Sequence, residues 1–70
     1  MTLNELCYVQ AVVNATVEDC RSREYTMKGA VSEILNILIT ELFWDYETDM
    51  PTVDYNQWDR FITNTVRKIW

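Results

Sequence analysis

The sequence has no histidine, and it has only one glycine and one proline among its 70 residues. Without histidine the chain cannot form a Ser-His or Cys-His nucleophile pair, and it cannot offer an imidazole to a metal ion. A single glycine leaves no glycine-rich loop to hold a phosphate group. Turn residues this scarce also disfavour a sheet with many tight turns. The sequence therefore predicts an all-α protein that is not an enzyme and has no cofactor.

The chain also lacks a long uncharged apolar run. Its longest apolar segment, residues 30–44, is interrupted by two glutamates and is too polar to span a bilayer. Residues 1–10 contain an acid and no base, unlike a signal peptide. Cys7 and Cys20 are predicted on one helix, roughly 20 Å apart, which is too far for a disulfide. We therefore expect a cytoplasmic protein with reduced thiols and no membrane partner.

Apolar residues recur at helical spacing in three stretches. The pattern predicts helices over about 3–21, 26–47 and 55–69. Pro51 separates the second helix from the third, because proline lacks an amide donor and the residue before it avoids helical backbone. These helices predict a compact three-helix bundle, one domain over residues 1–70, with the second helix at its centre. The alternative is a helical hairpin that completes its core only by dimerising.

The same pattern predicts which side chains form the core. They are Leu6, Val9, Val13, Val17 and Cys20 on the first helix, Met27, Val31, Ile34, Leu35, Leu38, Leu42 and Tyr46 on the second, and Trp58, Phe61, Ile62, Thr65 and Ile69 on the third. Thr2 and Asp54 are the expected N-caps of the first and third helices, and Thr26 or Ser22 could cap the second. Glu5 and Gln57 are expected to complete capping boxes on the first and third helices.

Negative charge is concentrated in residues 41–59, which we call the acidic segment. It contains six acids and no base, whereas residues 60–70 contain three bases and no acid, and the whole chain has a formal net charge of −5. An excess of acid disfavours binding to nucleic-acid phosphates and favours a basic protein surface as partner. Mutual repulsion among these carboxylates costs stability in a small domain, which suggests that they are kept for binding.

The candidate partner-binding residues lie in and beside the acidic segment. They are Ile37, Glu41, Trp44, Asp45, Glu47, Asp49, Asp54, Tyr55 and Asp59. Tryptophan and tyrosine surrounded by charge are typical of interface hot spots. Ala30, Ile37 and Trp44 recur every seven residues and form a second apolar line on the predicted second helix. This line either packs against a neighbouring helix or is exposed to bind another protein or a second copy of the chain.

Asp45, Glu47 and Asp49 alternate as the first carboxylates of a calcium loop do. Met50 stands where that loop needs its glycine, and Pro51 follows it. We therefore expect a solvated acidic helix end and no metal site.

The third helix carries a cationic face that could contact phosphates. It comprises Arg60, Asn64, Arg67 and Lys68. Three bases in a chain of net negative charge are a weak footprint for nucleic acid, so a helical nucleic-acid binder is a minor alternative.

The favoured hypothesis is a non-enzymatic interaction module that binds another protein through the acidic segment and regulates or inhibits it. Small acidic inhibitors, often of viral origin, that occupy the basic nucleic-acid channel of an enzyme have this profile, although no motif in the chain identifies such a family. The alternative hypothesis is a self-assembling homodimeric scaffold protein with the Ala30, Ile37 and Trp44 line as its seam.

Overall fold

A computed structural model describes residues 2–70. Its elements are three helices, α1 (Leu3–Ser22), α2 (Met27–Glu41) and α3 (Tyr55–Ile69), and two short strands, β1 (Trp44–Asp45) and β2 (Met50–Pro51). The helices pack against one another in a bundle, which confirms the predicted all-α fold. Helix α2 is central as predicted, because α1 and α3 each contact α2 much more than they contact one another.

Helix α1 begins and ends with local hydrogen bonds that satisfy its free backbone groups. The Thr2 hydroxyl accepts a hydrogen bond from the Glu5 amide at 3.2 Å and donates one to the Glu5 carboxylate at 3.0 Å, which confirms the predicted cap. At the other end the Tyr25 amide donates to the Cys20 carbonyl at 2.9 Å, and Glu24 has a φ of 62°. This is a Schellman ending, in which the left-handed residue is usually glycine.

The predicted N-caps of α2 and α3 are also present. The Thr26 hydroxyl accepts a hydrogen bond from the Gly29 amide at 3.1 Å. The Asp54 carboxylate accepts one from the Asn56 amide at 3.0 Å, so this cap acts on Asn56 and not on Gln57 as the predicted capping box required. Both caps place an oxygen at the amide end of a helix, where it satisfies an otherwise unpaired donor.

Helix α2 is shorter than predicted. It ends at Glu41, with Leu42 as its C-cap, and the chain then turns into an antiparallel hairpin. The prediction of a helix to residue 47 was wrong. Phenylalanine, tryptophan, aspartate and tyrosine, which follow Leu42, all rank below leucine and glutamate as helix formers. Acids at positions 45, 47 and 49 would also lie at the negative end of the helix dipole, where carboxylates are destabilising.

We call residues 44–51 the acidic hairpin. Trp44 pairs with Pro51 and Asp45 pairs with Met50, and residues 46–49 form the turn between the two strands. Strands of two residues have little stability alone. The Phe43 side chain, buried in the core directly before β1, and a 2.7 Å hydrogen bond from the Thr52 amide to the Phe43 carbonyl attach the hairpin to the bundle.

The core consists of aliphatic side chains from all three helices together with one aromatic ring. Its buried residues are Val9, Val13 and Val17 of α1, Val31, Ile34, Leu35 and Leu38 of α2, Phe43, and Ile62 and Val66 of α3. Trp58 and Trp70 are half-buried and pack against this core. Phe43 and Val66 were not among the predicted core residues, and Phe43 is buried because the chain leaves the helix before it.

Four predicted core residues are exposed. Tyr46 is 81% exposed, and Leu6, Phe61 and Ile69 are also solvent-accessible. Tyr46 is exposed because it lies in the hairpin turn and not on a continued α2. The other three are 41–48% exposed, so the neighbouring helices cover them only in part.

No helix within residues 2–70 combines the length and the apolar character needed to cross a membrane.

Candidate functional site

The acidic segment follows the chain from the last residue of α2, through the acidic hairpin, into the first turns of α3. Glu41 ends α2, Asp45, Glu47 and Asp49 lie in the hairpin, and Asp54 and Asp59 lie at the start of α3. Three of the six predicted carboxylates therefore lie on the acidic hairpin. The other three belong to the bundle and have separate surroundings.

The turn of the acidic hairpin is shaped by its own acids. An oxygen of the Asp45 carboxylate accepts a hydrogen bond from the Glu47 amide at 2.9 Å, which forms an Asx turn. Asp49 has a φ of 56°, a left-handed conformation that aspartate tolerates better than most residues. The Asp45 carboxylate thus also shapes the backbone of the turn, whereas the Glu47 side chain is exposed.

The hairpin also carries exposed apolar side chains beside these charges. Tyr46 and Met50 are 81% and 61% exposed, and Trp44 is half-buried. Tyrosine and methionine side chains bury a large apolar area and carry few polar atoms that need a hydrogen-bond partner. Both are therefore suited to a protein interface. The sequence pattern assigned Tyr46 to the core because it predicted a helix to residue 47, and it did not place Met50 among the candidate binding residues.

No acid of the acidic segment is part of an ion pair in the described chain. The two ion pairs found within residues 2–70 both use Arg23, whose guanidinium lies 2.8 Å from Asp19 and 3.6 Å from Glu33. Arg23 lies beyond the N-terminal end of α2, whereas the hairpin follows its C-terminal end, about 21 Å away along a helix of 15 residues. The carboxylates of the acidic segment therefore have no ion-pair partner within residues 2–70.

Glu41 has a structural partner. The Tyr8 hydroxyl donates a hydrogen bond to the Glu41 carboxylate and so joins α1 to the end of α2. This hydrogen bond is the main cause that raises the pKa of Tyr8 above its ordinary value, because it favours the protonated phenol. Glu41 is thus partly committed to the fold, as Asp45 is through its Asx turn.

Asp59 and Tyr55 face a groove between α2 and α3. The groove has a volume of about 400 Å³, and its lining includes Met27, Val31 and Leu35 of α2. The Thr63 hydroxyl donates to the Asp59 carboxylate at 3.4 Å. Asp54 is the cap of α3, as described above. These three predicted residues therefore lie beside the hairpin, on α3, and do not form part of it.

The predicted line of Ala30, Ile37 and Trp44 does not exist as a surface. Ala30 is fully buried, Ile37 is half-buried on α2, and Trp44 lies in β1 because the helix has already ended. A heptad line requires all three on one helix, so the seam predicted from this spacing was wrong. The burial of Ala30 supports the other interpretation, in which the line packs against a neighbouring helix.

A second cluster of ionisable side chains joins α1 to α2. The thiol of the buried Cys20 donates to the Glu33 carboxylate at 3.4 Å, and ligand atoms of Asp19, Cys20 and Glu33 lie within 4.8 Å of one another. Burial, followed by the hydrogen bond to Glu33, raises the pKa of the Cys20 thiol. Metal ions bind the thiolate, and Arg23 already pairs with both carboxylates, so the cluster is a structural network.

The cationic face of α3 is present as predicted. Arg60, Asn64, Arg67 and Lys68 are all exposed on that helix. Two of its bases lie in the last helical turn, where cations are favoured by the helix dipole. This placement accounts for them without a ligand, and binding to nucleic acid stays a minor prediction.

Comparison of the chain with protein-family models, with curated proteins and with solved structures finds no match.

Proposed function

We propose that this chain is a non-enzymatic interaction module that binds a basic surface of another protein through the acidic hairpin. The observation that carries this proposal is the combination found on residues 44–51. Three carboxylates without a cationic partner lie beside two apolar side chains, Tyr46 and Met50, that are more than half exposed. Solvation of the loop alone does not explain the exposed Tyr46 and Met50, and an apolar patch alone does not explain the carboxylates.

The two kinds of side chain have different roles in binding. The carboxylates attract a basic surface over several ångströms and raise the association rate, an effect that salt weakens. Tyr46 and Met50 then lose water against the partner and slow dissociation, as aromatic and methionine side chains do at interface centres. Charge therefore selects the partner, and apolar contact holds it.

The hairpin is suited to binding because it is already ordered. The Asx turn of Asp45, the strand pairing and the buried Phe43 fix its shape before a partner arrives. Ordering a flexible loop at an interface reduces the free energy of binding, and a preformed loop avoids that cost. The small size of the bundle is no obstacle, because the contact surface is at its edge.

Binding of this kind regulates the partner by covering its basic surface. Basic surfaces on proteins commonly contact phosphates, so a module that covers one competes with nucleic acid. The finer proposal is therefore an inhibitor, of the small acidic type that viruses use, acting on a nucleic-acid-binding enzyme. The supporting observation is the charge of the hairpin, which is carried by carboxylates with no base among them.

The proposal is tested by quantitative affinity purification with the chain as bait. Glu47→Gln combined with Asp49→Asn removes two hairpin charges, and asparagine keeps a residue that tolerates the left-handed backbone of position 49. We expect this pair to lose a protein of net positive charge that the unchanged chain retains. Added salt should release the same protein.

The matched control is Glu18→Gln combined with Glu24→Gln. Both control residues are exposed acids outside the acidic segment, so the net charge changes equally. The control pair should retain the partner. Equal loss in both pairs would show a general charge effect, and equal retention would contradict the role of the hairpin.

A further inference from the structure

A second open surface lies between α1 and α3, and it is apolar. Leu6 of α1 and Gln57, Trp58 and Phe61 of α3 line a groove of about 310 Å³, which we call the α1–α3 groove. Leu6 and Phe61 are 45% and 48% exposed, although both lie on the predicted apolar faces of their helices. The bundle covers Val9 and Ile62 nearby but leaves these two uncovered.

The groove is open because α1 and α3 make little contact with one another. Leu3, one helical turn before Leu6, is also exposed and extends the apolar face of α1 beyond the groove. Single exposed apolar residues are common on proteins and need no explanation. Several that adjoin one concave surface are typical of an interaction site.

A chain of aromatic rings links the α1–α3 groove to Phe43, the buried residue before the acidic hairpin, and two of the lining residues, Gln57 and Trp58, belong to the acidic segment. The ring of Phe43, the residue before β1, lies 4.7 Å from the ring of Trp58, and Trp58 lies 5.2 Å from Phe61, centroid to centroid. Asp54 precedes Trp58 by one helical turn, and its carbonyl accepts the Trp58 amide at 3.1 Å. One end of the apolar groove therefore adjoins the acidic segment, which contains no base.

We propose that the α1–α3 groove binds the apolar face of a basic amphipathic helix. This inference rests on the proposed function, since the helix belongs to the partner that the acidic hairpin attracts. The charge next to the groove selects lysine and arginine for the polar face of that helix. Two helices with a gap between them receive a third helix through side chains at i, i+3 or i+4 spacing, as in other helix-in-groove complexes.

The test uses a defined probe, because the partner is unidentified. A labelled 18-residue peptide of leucine and lysine, arranged as an amphipathic helix, is titrated with the whole chain at moderate salt, and the affinity is measured by fluorescence anisotropy. Two comparison peptides have the same composition in scrambled order, or glutamate in place of lysine. We expect binding of the amphipathic basic peptide and about tenfold weaker binding of the other two.

The groove is tested with Leu6→Gln combined with Phe61→Gln. The matched control is Tyr25→Gln combined with Ile69→Gln, at two apolar residues that are 40% and 41% exposed and lie outside the groove. The groove pair should weaken binding of the peptide about tenfold, because glutamine replaces the apolar contact that the exposed parts of Leu6 and Phe61 would make with the peptide. The control pair should bind as the unchanged chain does, and circular dichroism should show equal helicity in all variants.

The failure of this inference is distinguishable from the failure of the proposed function. If Glu47→Gln with Asp49→Asn weakens binding of the peptide while the groove pair does not, the hairpin binds basic surfaces and the groove inference is overturned. If the groove pair weakens binding of the peptide and the hairpin pair does not, the hairpin charges do not select a basic occupant. That result would overturn this inference and the proposed function together. A dimer in light scattering that Leu6→Gln and Phe61→Gln dissociate would assign the groove to a second copy and overturn the inference.

Discussion

Glu24 and Asp49 are the two residues other than glycine with left-handed backbone in residues 2–70. Glu24 ends α1, and Asp49 ends the turn of the acidic hairpin. Left-handed backbone costs roughly 1–2 kcal/mol for a residue with a side chain. The chain has a single glycine, located in α2, so acids occupy both positions.

Glycine at position 24 should therefore stabilise the fold. We expect Glu24→Gly to raise the free energy of unfolding by about 0.5 kcal/mol, because the relief of backbone strain exceeds the added freedom of the unfolded chain. Glu18→Gly, which removes the same charge within α1, should lower it by about 1 kcal/mol. Urea unfolding followed by circular dichroism measures both, and destabilisation by Glu24→Gly would contradict the Schellman ending.

The two cysteines should differ in reactivity. Cys7 is exposed, whereas Cys20 is buried and donates to Glu33, and burial raises the pKa of its thiol. We expect an alkylating reagent near neutral pH to modify Cys7 quickly and Cys20 only after denaturant is added, because the thiolate is the reactive form. Mass spectrometry of the labelled peptides distinguishes them, and equal rates in the folded protein would contradict the buried network.

The Cys20 thiol makes the free energy of unfolding decrease as the pH rises. Because folding raises the pKa of Cys20, its proton stabilises the fold at pH values below the pKa of the unfolded thiol. That contribution is lost as the pH rises through the higher pKa of the folded state. Tyr8 acts in the same direction at higher pH, through its hydrogen bond to Glu41.

Among the elements, the helices were predictable and the hairpin was not. The periodicity and the caps at Thr2, Thr26 and Asp54 predicted both ends of α1 and α3 and the start of α2 to within one or two residues. The end of α2 was missed, because Leu42 and Tyr46 continue its apolar stripe on a helical wheel. The opposing signals were the acids at the negative end of the dipole and the run of poor helix formers after Leu42.

The candidate site divides in the same way. Its charge was predictable from the positions of the acids and bases along the sequence, since residues 41–59 contain no base. Its geometry was not, because the exposure of Tyr46 and Met50 depends on where α2 ends. The exposure of Leu6 and Phe61 was also hidden from the pattern, since periodicity shows which face is apolar but not how far the neighbouring helix reaches.

Phe43 should be the residue that attaches the hairpin to the bundle. We expect Phe43→Ala to lower the free energy of unfolding by about 3 kcal/mol, because it removes a buried ring in contact with Trp58. Amide exchange at Thr52, whose N–H donates to the Phe43 carbonyl, should accelerate as the hairpin loosens.

The control for that experiment is Phe61→Ala, which removes an exposed ring that also contacts Trp58. It should cost about 1 kcal/mol or less and leave exchange at Thr52 unchanged. Similar effects from both substitutions would show that the hairpin is held by something other than the buried ring.

At the scale of the whole molecule, charge and apolar surface are distributed unevenly. The acidic segment occupies the end of the bundle where α2 stops and α3 begins, while residues 60–70 are basic. A chain of net charge −5 with its acids clustered gives up stability through self-repulsion. A basic partner would remove that repulsion on binding, so the same arrangement that weakens the free protein strengthens the complex.

Trp58 belongs to the acidic segment and lines the α1–α3 groove, and it contacts Phe43, the residue before the acidic hairpin, on one side and Phe61 on the other. The proposed interface is therefore one surface with a charged part and an apolar part. Its apolar part is small, as expected for a domain of this size. Binding should accordingly depend on both parts and be sensitive to salt.

The most direct test of the central claim is photo-crosslinking from position 46 in extracts of the cells that produce the protein. Tyr46 is replaced by p-benzoylphenylalanine in one preparation, and Tyr25, an exposed tyrosine beyond the opposite end of α2, is replaced in the other. Our account predicts that position 46 cross-links a protein with a basic surface, that salt or Glu47→Gln with Asp49→Asn abolishes the product, and that position 25 does not form it. No product at position 46, or the same products from both positions, would contradict the assignment of the acidic hairpin as the binding surface.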